Sequence, residues 1–159
     1  MEKVSKIHKI VATGFGSGYS PFAPGTAGAA LAVALWYIAS IFISHTYLIG
    51  GTFFCVILFT WWGIISSSAV EHIWGKDPSK VVIDEMVGVW IPLLVVPDND
   101  YKYGYAVAAF ILFRLFDIFK PLGIRNMEKF KGGIGIMMDD ILSGIYSLII
   151  LIIIRCIAG

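Results

Sequence analysis

Five apolar stretches, separated by short polar segments, constrain this chain more than any other feature of its sequence. A helix needs about 20 apolar residues to cross the roughly 30 Å of hydrocarbon in a bilayer. Three stretches come near that length, at residues 27–44, 47–66 and 141–157. A fourth, at 86–96, is short, and a fifth, at 103–119, is long enough but contains Arg114 and Asp117. The pattern predicts an all-α polytopic membrane bundle of four to five spans, with short interfacial helices carrying the polar segments.

The balance of apolar and charged residues supports this interpretation. Hydrophobic residues make up 58% of the 159 residues and charged residues only 14%, which leaves too little polar material to cover a small soluble globule. The length predicts one domain, residues 1–159. The net charge of +1 does not favour nucleic-acid binding.

The charged residues segregate if all five stretches cross. Residues 1–26, 67–85 and 114–140 then share one side, and residues 45–46, 97–102 and the C-terminal tail share the other. The first side holds ten of the twelve basic residues: Lys3, Lys6, Lys9, Lys76, Lys80, Arg114, Lys120, Arg125, Lys129 and Lys131. Such a bias predicts that the first side is cytoplasmic. Nine of the eleven acids share that side, which the positive-inside rule does not explain, so we expect a site there.

A glycine-rich segment precedes the first span and offers a possible anion site. Gly16 and Gly18 would let the backbone approach an anion closely, beside Ser17, and Thr26 would cap a helix whose free N–H groups favour phosphate. The alternative interpretation is an interfacial loop whose small residues allow close helix packing.

Two pairs of acids each open a predicted membrane helix. Asp84 and Glu85 begin the fourth stretch, and Asp139 and Asp140 precede the last. A single acidic pair at a helix start is explained by the helix dipole. Two pairs on one face repel each other unless a cation lies between them, and oxygen ligands of this kind suit Mg²⁺ or Mn²⁺.

A third group of charges lies near the end of the fifth stretch. At 100° per residue, Arg114, Asp117 and Lys120 fall within one 120° arc of a helix. One interpretation is an Arg–Asp pair that neutralises itself while Lys120 reaches the interface. Ionisable groups within a span favour a functional role, here the binding of a phosphate group.

Together these segments resemble the phosphatidylglycerophosphatase A family. The resemblance is carried by residues 14–26 (GFGSGYSPFAPGT), 82–88 (VIDEMVG), 113–121 (FRLFDIFKP) and 132–144 (GGIGIMMDDILSG). It implies a Mg²⁺-dependent enzyme of the bacterial cytoplasmic membrane that removes the terminal phosphate of phosphatidylglycerophosphate to give phosphatidylglycerol. The chain departs from the family pattern at Leu122-Gly123, where a second proline is common, and at Ser143, where alanine is usual.

The resemblance and the residues together suggest a division of roles. The expected catalytic and metal-binding acids are Asp84, Glu85, Asp117, Asp139 and Asp140. The expected phosphate-binding residues are Arg114, Lys120, Gly16, Ser17, Gly18 and Thr26. The nucleophile stays open between a metal-activated water and a carboxylate.

Two other functions would use the same residues differently. A small ion-coupled transporter would use Arg114 and Asp117 within a pathway, with charges reaching both faces. A phosphotransferase acting on nucleotide-activated lipids would need a different spacing of acids. The expected partner is a phospholipid of the cytoplasmic leaflet, on which the active face would act.

Overall fold

The computed structural model of the chain describes residues 4–158, so Glu2 and Lys3 of the charge count lie outside the described residues. Its helices, in chain order, are α1 (Lys6–Ala12), a 3-10 helix (Ser17–Tyr19), α2 (Pro24–Phe42), α3 (His45–Trp74), α4 (Ile83–Leu93), α5 (Lys102–Phe119), α6 (Ile124–Met127) and α7 (Gly133–Ala158). The described part of the chain contains no strand, which confirms the all-α prediction.

Three helices have the length and apolar composition to cross a membrane. They are α2, α3 and α7, with 19, 30 and 26 residues, and they contain most of each of the three clearest predicted stretches. Only 17–22% of the residues in their apolar windows are buried inside the protein. Their outward faces are therefore apolar, which is compatible with contact with lipid.

The fourth predicted span corresponds to α4, which is short and enclosed. At 1.5 Å per residue its 11 residues extend about 16 Å, roughly half the thickness of the hydrocarbon. Ten of the 11 residues are buried, because α2, α3, α5 and α7 all pack around this helix. Its continuous apolar sequence thus reflects burial in protein on every side. The fifth predicted stretch forms α5, and the count of four to five spans is not confirmed beyond the three candidates.

The crossing of α4 and α7 is close because a glycine lies on each helix at the contact. A Cβ on Gly88 would collide with the ring of Phe113 and lie 2.9 Å from the carbonyl oxygen of Asp140. A Cβ on Gly144 would collide with the carbonyl oxygen of Gly88. Both helices begin at the same end of the bundle, so Asp84 and Asp140, each one turn before its glycine, come together.

The polar segments meet at the two ends of the bundle. At one end, His45 Nδ1 lies 4.0 Å from Asp98 Oδ1, and Arg155 Nη1 donates a hydrogen bond to the carbonyl oxygen of Val95 at 3.1 Å. At the other end, residues from the segments before α2, between α3 and α4, and at the end of α5 line a common cavity. This grouping of segments is the one expected from the charge pattern.

Candidate active site

A polar cavity of about 360 Å³ lies where α2, α4 and α7 begin and α5 ends. Its lining includes all five acids that the sequence singled out, both expected phosphate-binding cations and Thr26: Asp84, Glu85, Asp117, Asp139, Asp140, Arg114, Lys120 and Thr26. Gly16, Ser17 and Gly18 are not among the residues that line it. The acids therefore converge as expected, although their roles as ligands stay predictions.

Three of the acids form a compact cluster. One carboxylate oxygen from each of Asp84, Glu85 and Asp140 lies within 4.8 Å of the others. Asp84 and Asp140 are only 8% and 2% exposed. Each of the three side chains also has a buried oxygen without a hydrogen-bond partner among the described residues. Because a buried, unpaired carboxylate oxygen is costly, this arrangement fits a bound cation, and the all-oxygen donor set fits a hard divalent ion.

The pKa of Asp84 also indicates that the acid cluster needs a nearby positive charge. This residue lies outside the three candidate spans, at the first turn of α4. Burial, followed by the nearby charges of Glu85 and Asp140, raises the pKa of Asp84 well above its usual range. The fully ionised cluster is therefore unfavourable without a compensating positive charge.

The other two acids are each paired with a base. Asp117 accepts a hydrogen bond from Nη1 of Arg114 one turn away on α5. Asp139 accepts one from Nζ of Lys120 at 2.5 Å, and Lys120 also donates to Oε1 of Glu128 at 2.7 Å. Burial lowers the pKa of Lys120, but the hydrogen bonds to the two acids outweigh it and raise the pKa above its ordinary value. Lys120 is thus a fixed positive charge beside the carboxylates.

Arg114 retains a donor that the protein does not use. Its Nε is buried and has no hydrogen-bond partner among the described residues. Its guanidinium lies close to the start of α2, because a Cβ on Gly25 would lie 3.5 Å from Arg114 Nη1 and would collide with Oε1 of Glu85. A glycine is needed at this position for α2 to approach the two charged side chains.

The first turn of α2 adds a positive end to the cavity. Pro24, Gly25 and Thr26 line it, and α2 begins at Pro24. The first N–H groups of a helix have no partner within the helix and favour an anion. Thr26 lies inside the first turn rather than at the cap, so its expected capping role is taken by Ala23, which supplies no side-chain hydrogen bond.

The glycine-rich loop packs against the segment that leads into α4. A Cβ on Gly18 would collide with the carbonyl oxygen of Lys80, and the N–H of Val82 donates to the carbonyl oxygen of Ala12 at 2.9 Å. Ser17 Oγ donates to the carbonyl oxygen of Gly14 at 2.9 Å. These contacts fix the segment that leads into α4, in agreement with the packing alternative for this loop.

Sequence reasoning missed three polar residues of the site region. Asp77 and Ser79 line the cavity, and Glu128 binds Lys120. Asp77 has a left-handed backbone (φ 47°), which is uncommon for a residue other than glycine and could not be foreseen from its position in a polar loop.

Comparisons with known proteins show the family to which the chain belongs. A model of the phosphatidylglycerophosphatase A family matches residues 10–155. Proteins named phosphatidylglycerophosphatase A from Escherichia coli and Haemophilus influenzae are 34% and 35% identical over 147 and 158 residues, which cover 91% and 98% of this chain and 81% and 94% of those proteins. A Bacteroides thetaiotaomicron protein that is provisionally named a phosphatidylinositol-3-phosphatase is 55% identical over 159 residues, the whole length of both chains. No solved structure matches the chain. The chain therefore belongs to the phosphatidylglycerophosphatase A family, a family of phosphoric monoester hydrolases.

Proposed function

We propose that this chain is a single-domain, Mg²⁺-dependent phosphatase that converts phosphatidylglycerophosphate into phosphatidylglycerol at the cytoplasmic face of the bacterial inner membrane. The observation that carries the proposal is the cluster of Asp84, Glu85 and Asp140, whose buried oxygens lack partners and lie in one cavity with Arg114 and Lys120. The charge bias of the polar segments and the apolar helices support the membrane setting.

In this proposal the acids and the bases have separate tasks. Asp84, Glu85 and Asp140 hold the ion, and Asp117 and Asp139 keep Arg114 and Lys120 in place through their ion pairs. When bound, Mg²⁺ supplies neutralising charge and lowers the pKa of a coordinated water.

The terminal phosphoryl group lies against the two bases and the first turn of α2. Arg114 offers its unused Nε–H, and the positive end of α2 attracts the phosphate oxygens. If water attacks, its oxygen bonds to phosphorus, the bond from phosphorus to the glycerol oxygen breaks, and the proton lost by the water goes to that glycerol oxygen. If a carboxylate attacks, the same bond breaks to give an acyl phosphate, which a water then hydrolyses to release phosphate and restore the carboxylate, and the water supplies the proton of the leaving alcohol. Two nucleophiles fit the cavity, a water or one of its carboxylates.

A second substrate is favoured by one comparison. The Bacteroides thetaiotaomicron relative shares 55% of its residues with this chain and carries a phosphatidylinositol-3-phosphatase name. Phosphatidylinositol 3-phosphate also presents a phosphomonoester on a lipid headgroup, so the same cation cluster and bases would act on it. The two lipids differ in the polyol that carries the phosphate.

The transporter interpretation fits the structure less well. It requires ionisable groups along a pathway between both ends, whereas the carboxylates, Arg114 and Lys120 all line one cavity at one end.

Phosphate release from the purified protein tests the proposal directly. Both lipids are presented in mixed micelles, with Mg²⁺ or with a chelator. We expect Mg²⁺-dependent release of phosphate from phosphatidylglycerophosphate. A higher kcat/KM for phosphatidylinositol 3-phosphate would show that this second lipid is the preferred substrate. Failure to release phosphate from either lipid would refute the phosphatase function.

A further inference from the structure

An apolar groove of about 400 Å³ lies between α2 and α3, away from the active-site cavity. Its lining comes from α2 between positions 35 and 43, from α3 between positions 47 and 59, from Trp90 of α4 and from Phe15 of the glycine-rich loop. None of the lining residues carries a charge. The hydroxyl of Thr52 and the indole N–H of Trp90 already donate to carbonyl oxygens of the protein, at 2.7 and 3.1 Å. The groove therefore offers an occupant apolar surface rather than hydrogen bonds.

The groove is continuous with the lipid-facing surface of the protein. Its two walls, α2 and α3, are two of the three candidate spans. Leu35 and Tyr47, which line the groove, are themselves 45% and 78% exposed, so its walls merge with the apolar outer faces of both helices. Water in such a groove would hydrate apolar walls, which is less favourable than filling it with hydrocarbon. An acyl chain is the hydrocarbon that a bilayer supplies.

Phe15 joins this groove to the glycine-rich loop. Gly14, Phe15 and Gly16 all have left-handed backbones, with φ of 52°, 57° and 97°. Glycine adopts such angles freely, but phenylalanine rarely does, and a strained residue persists only where its surroundings hold it. The ring of Phe15 packs edge-to-face on that of Phe59, with the ring centroids 6.0 Å apart, and the residue is still 54% exposed. An occupant of the groove would supply the contacts that this exposed ring lacks.

The same loop contacts the residues on either side of the acid pair of α4. A Cβ on Gly14 would lie 2.7 Å from Sδ of Met86 and 2.9 Å from Cγ2 of Val82. Both neighbours are fully buried, and in the sequence they flank Asp84 and Glu85. An occupant that holds the loop in place therefore also holds the start of α4, where the cation cluster begins.

We propose that the groove between α2 and α3 binds one acyl chain of a phospholipid of the surrounding bilayer, and that this chain, packed against Phe15, stabilises the glycine-rich loop. The inference rests on the membrane setting proposed above and not on the identity of the substrate. The bound lipid is a neighbour rather than the substrate. At 1.5 Å per residue, the groove begins at Leu35, about 16 Å along α2 from Pro24, which lines the active-site cavity. A substrate chain would reach it only with its far end, whereas a neighbouring lipid can place a whole chain there.

Two adjacent glycines of α3 provide a matched pair of variants. Gly50 and Gly51 are both exposed, and a Cβ on either would meet no atom within 4 Å. Only Gly51 lines the groove, on the same face of α3 as Leu48 and Cys55. Gly51→Leu therefore fills the groove, and Gly50→Leu places the same side chain outside it. Both changes improve helix propensity equally, so both proteins should fold.

Quenching of tryptophan fluorescence measures occupancy of the groove directly. The protein in detergent is titrated with a phospholipid whose acyl chains carry bromine, which quenches tryptophan on contact. Trp36 and Trp90 line the groove, whereas Trp61 is 66% exposed outside it and gives a background common to all the proteins. We expect saturable quenching in the wild type and in Gly50→Leu. In Gly51→Leu the mole fraction of lipid at half-saturation should rise by about threefold or more, because the leucine takes the place of the chain's packing contacts.

Hydrogen exchange of the backbone amides of residues 14–18 tests the effect on the loop. Bound lipid should slow this exchange in the wild type and in Gly50→Leu but not in Gly51→Leu, because only an occupied groove packs against Phe15. Exchange at residues 14–18 that does not respond to lipid in the wild type would refute the stabilisation of the loop.

Three other results would overturn the inference. Equal half-saturation in the two glycine variants would show that the groove does not take a lipid chain. A wild-type dimer that Gly51→Leu alone dissociates, measured by light scattering, would show that the groove binds a second copy of this chain. Unchanged quenching, together with a raised KM for a long-chain but not a short-chain substrate in Gly51→Leu, would assign the groove to the substrate's own chain. If no lipid is hydrolysed, the proposed function fails, whereas quenching and exchange still decide whether the groove holds a lipid.

Discussion

Replacing Asp140 by asparagine tests whether the carboxylates of α4 and α7 hold a cation. The change keeps the shape of the side chain and removes its charge. Asp140 is 2% exposed, and one of its oxygens lies within 4.8 Å of oxygens from Asp84 and Glu85. Two like charges at that separation repel by about 3 kcal/mol at an effective dielectric constant of about 20. Protonation already relieves part of this repulsion, so we expect the metal-free variant to be more stable than the wild type by about 1 to 3 kcal/mol.

With Mg²⁺ the order should reverse, because only the wild type has three charged ligands to offer. Thermal melting in detergent, with Mg²⁺ and with a chelator, measures this reversal, and we expect turnover of the variant to fall by about 100-fold or more. Asp100→Asn is the control for the loss of a negative charge. Asp100 is exposed and lies in the polar segment at the other end of the bundle. A variant that is less stable without metal and whose turnover still rises with Mg²⁺ would show that Asp140 serves the helix and not an ion.

Three further predictions follow from the same geometry. Arg114→Lys keeps the charge but loses the planar fork of donors, so turnover should fall by about tenfold or more while the protein still folds. Turnover near that of the wild type would show that Arg114 only forms an ion pair with Asp117. Gly144→Ala should destabilise the protein by about 1 to 3 kcal/mol and lower turnover by forcing α4 and α7 apart; an unchanged melting temperature would contradict the close crossing. Cysteines introduced at Ser79 and Lys129 should be labelled from one side of sealed vesicles, and a cysteine at Asn99 from the other side. Labelling of the first two cysteines from different sides would refute the topology.

The convergence of the acids could be predicted because it depends on simple regularities. Asp84 and Asp140 each stand at the start of an apolar stretch, and each precedes a glycine by four residues. Alternation of spans places both helix starts, and the end of the helix that carries Asp117, on one side. These relations need no knowledge of side-chain packing, and the structure brings all three acids to one cavity.

The enclosure of α4 could not be predicted in the same way. An apolar stretch surrounded by protein has the same composition as one surrounded by lipid, so composition does not distinguish a short span at residues 86–96 from an enclosed helix. The contact between Glu128 and Lys120 lies in a segment without regular periodicity, so sequence patterns do not predict it. The glycine-rich loop was open to two interpretations because glycine permits both anion binding and close packing.

Because α4 is enclosed on all sides, the order of synthesis limits when an active protein can exist. Helix α7, which follows α4 and α5 along the chain, supplies the glycine against which α4 packs and also Asp139 and Asp140. Until α7 is made, Asp84 lies on an 11-residue helix that lacks its main neighbour, which would be a costly state for an ionisable group in lipid. A chain that stops before residue 133 therefore lacks two of the five acids of the candidate site as well as the helix against which α4 packs. The candidate site can therefore assemble only after α7 has been made.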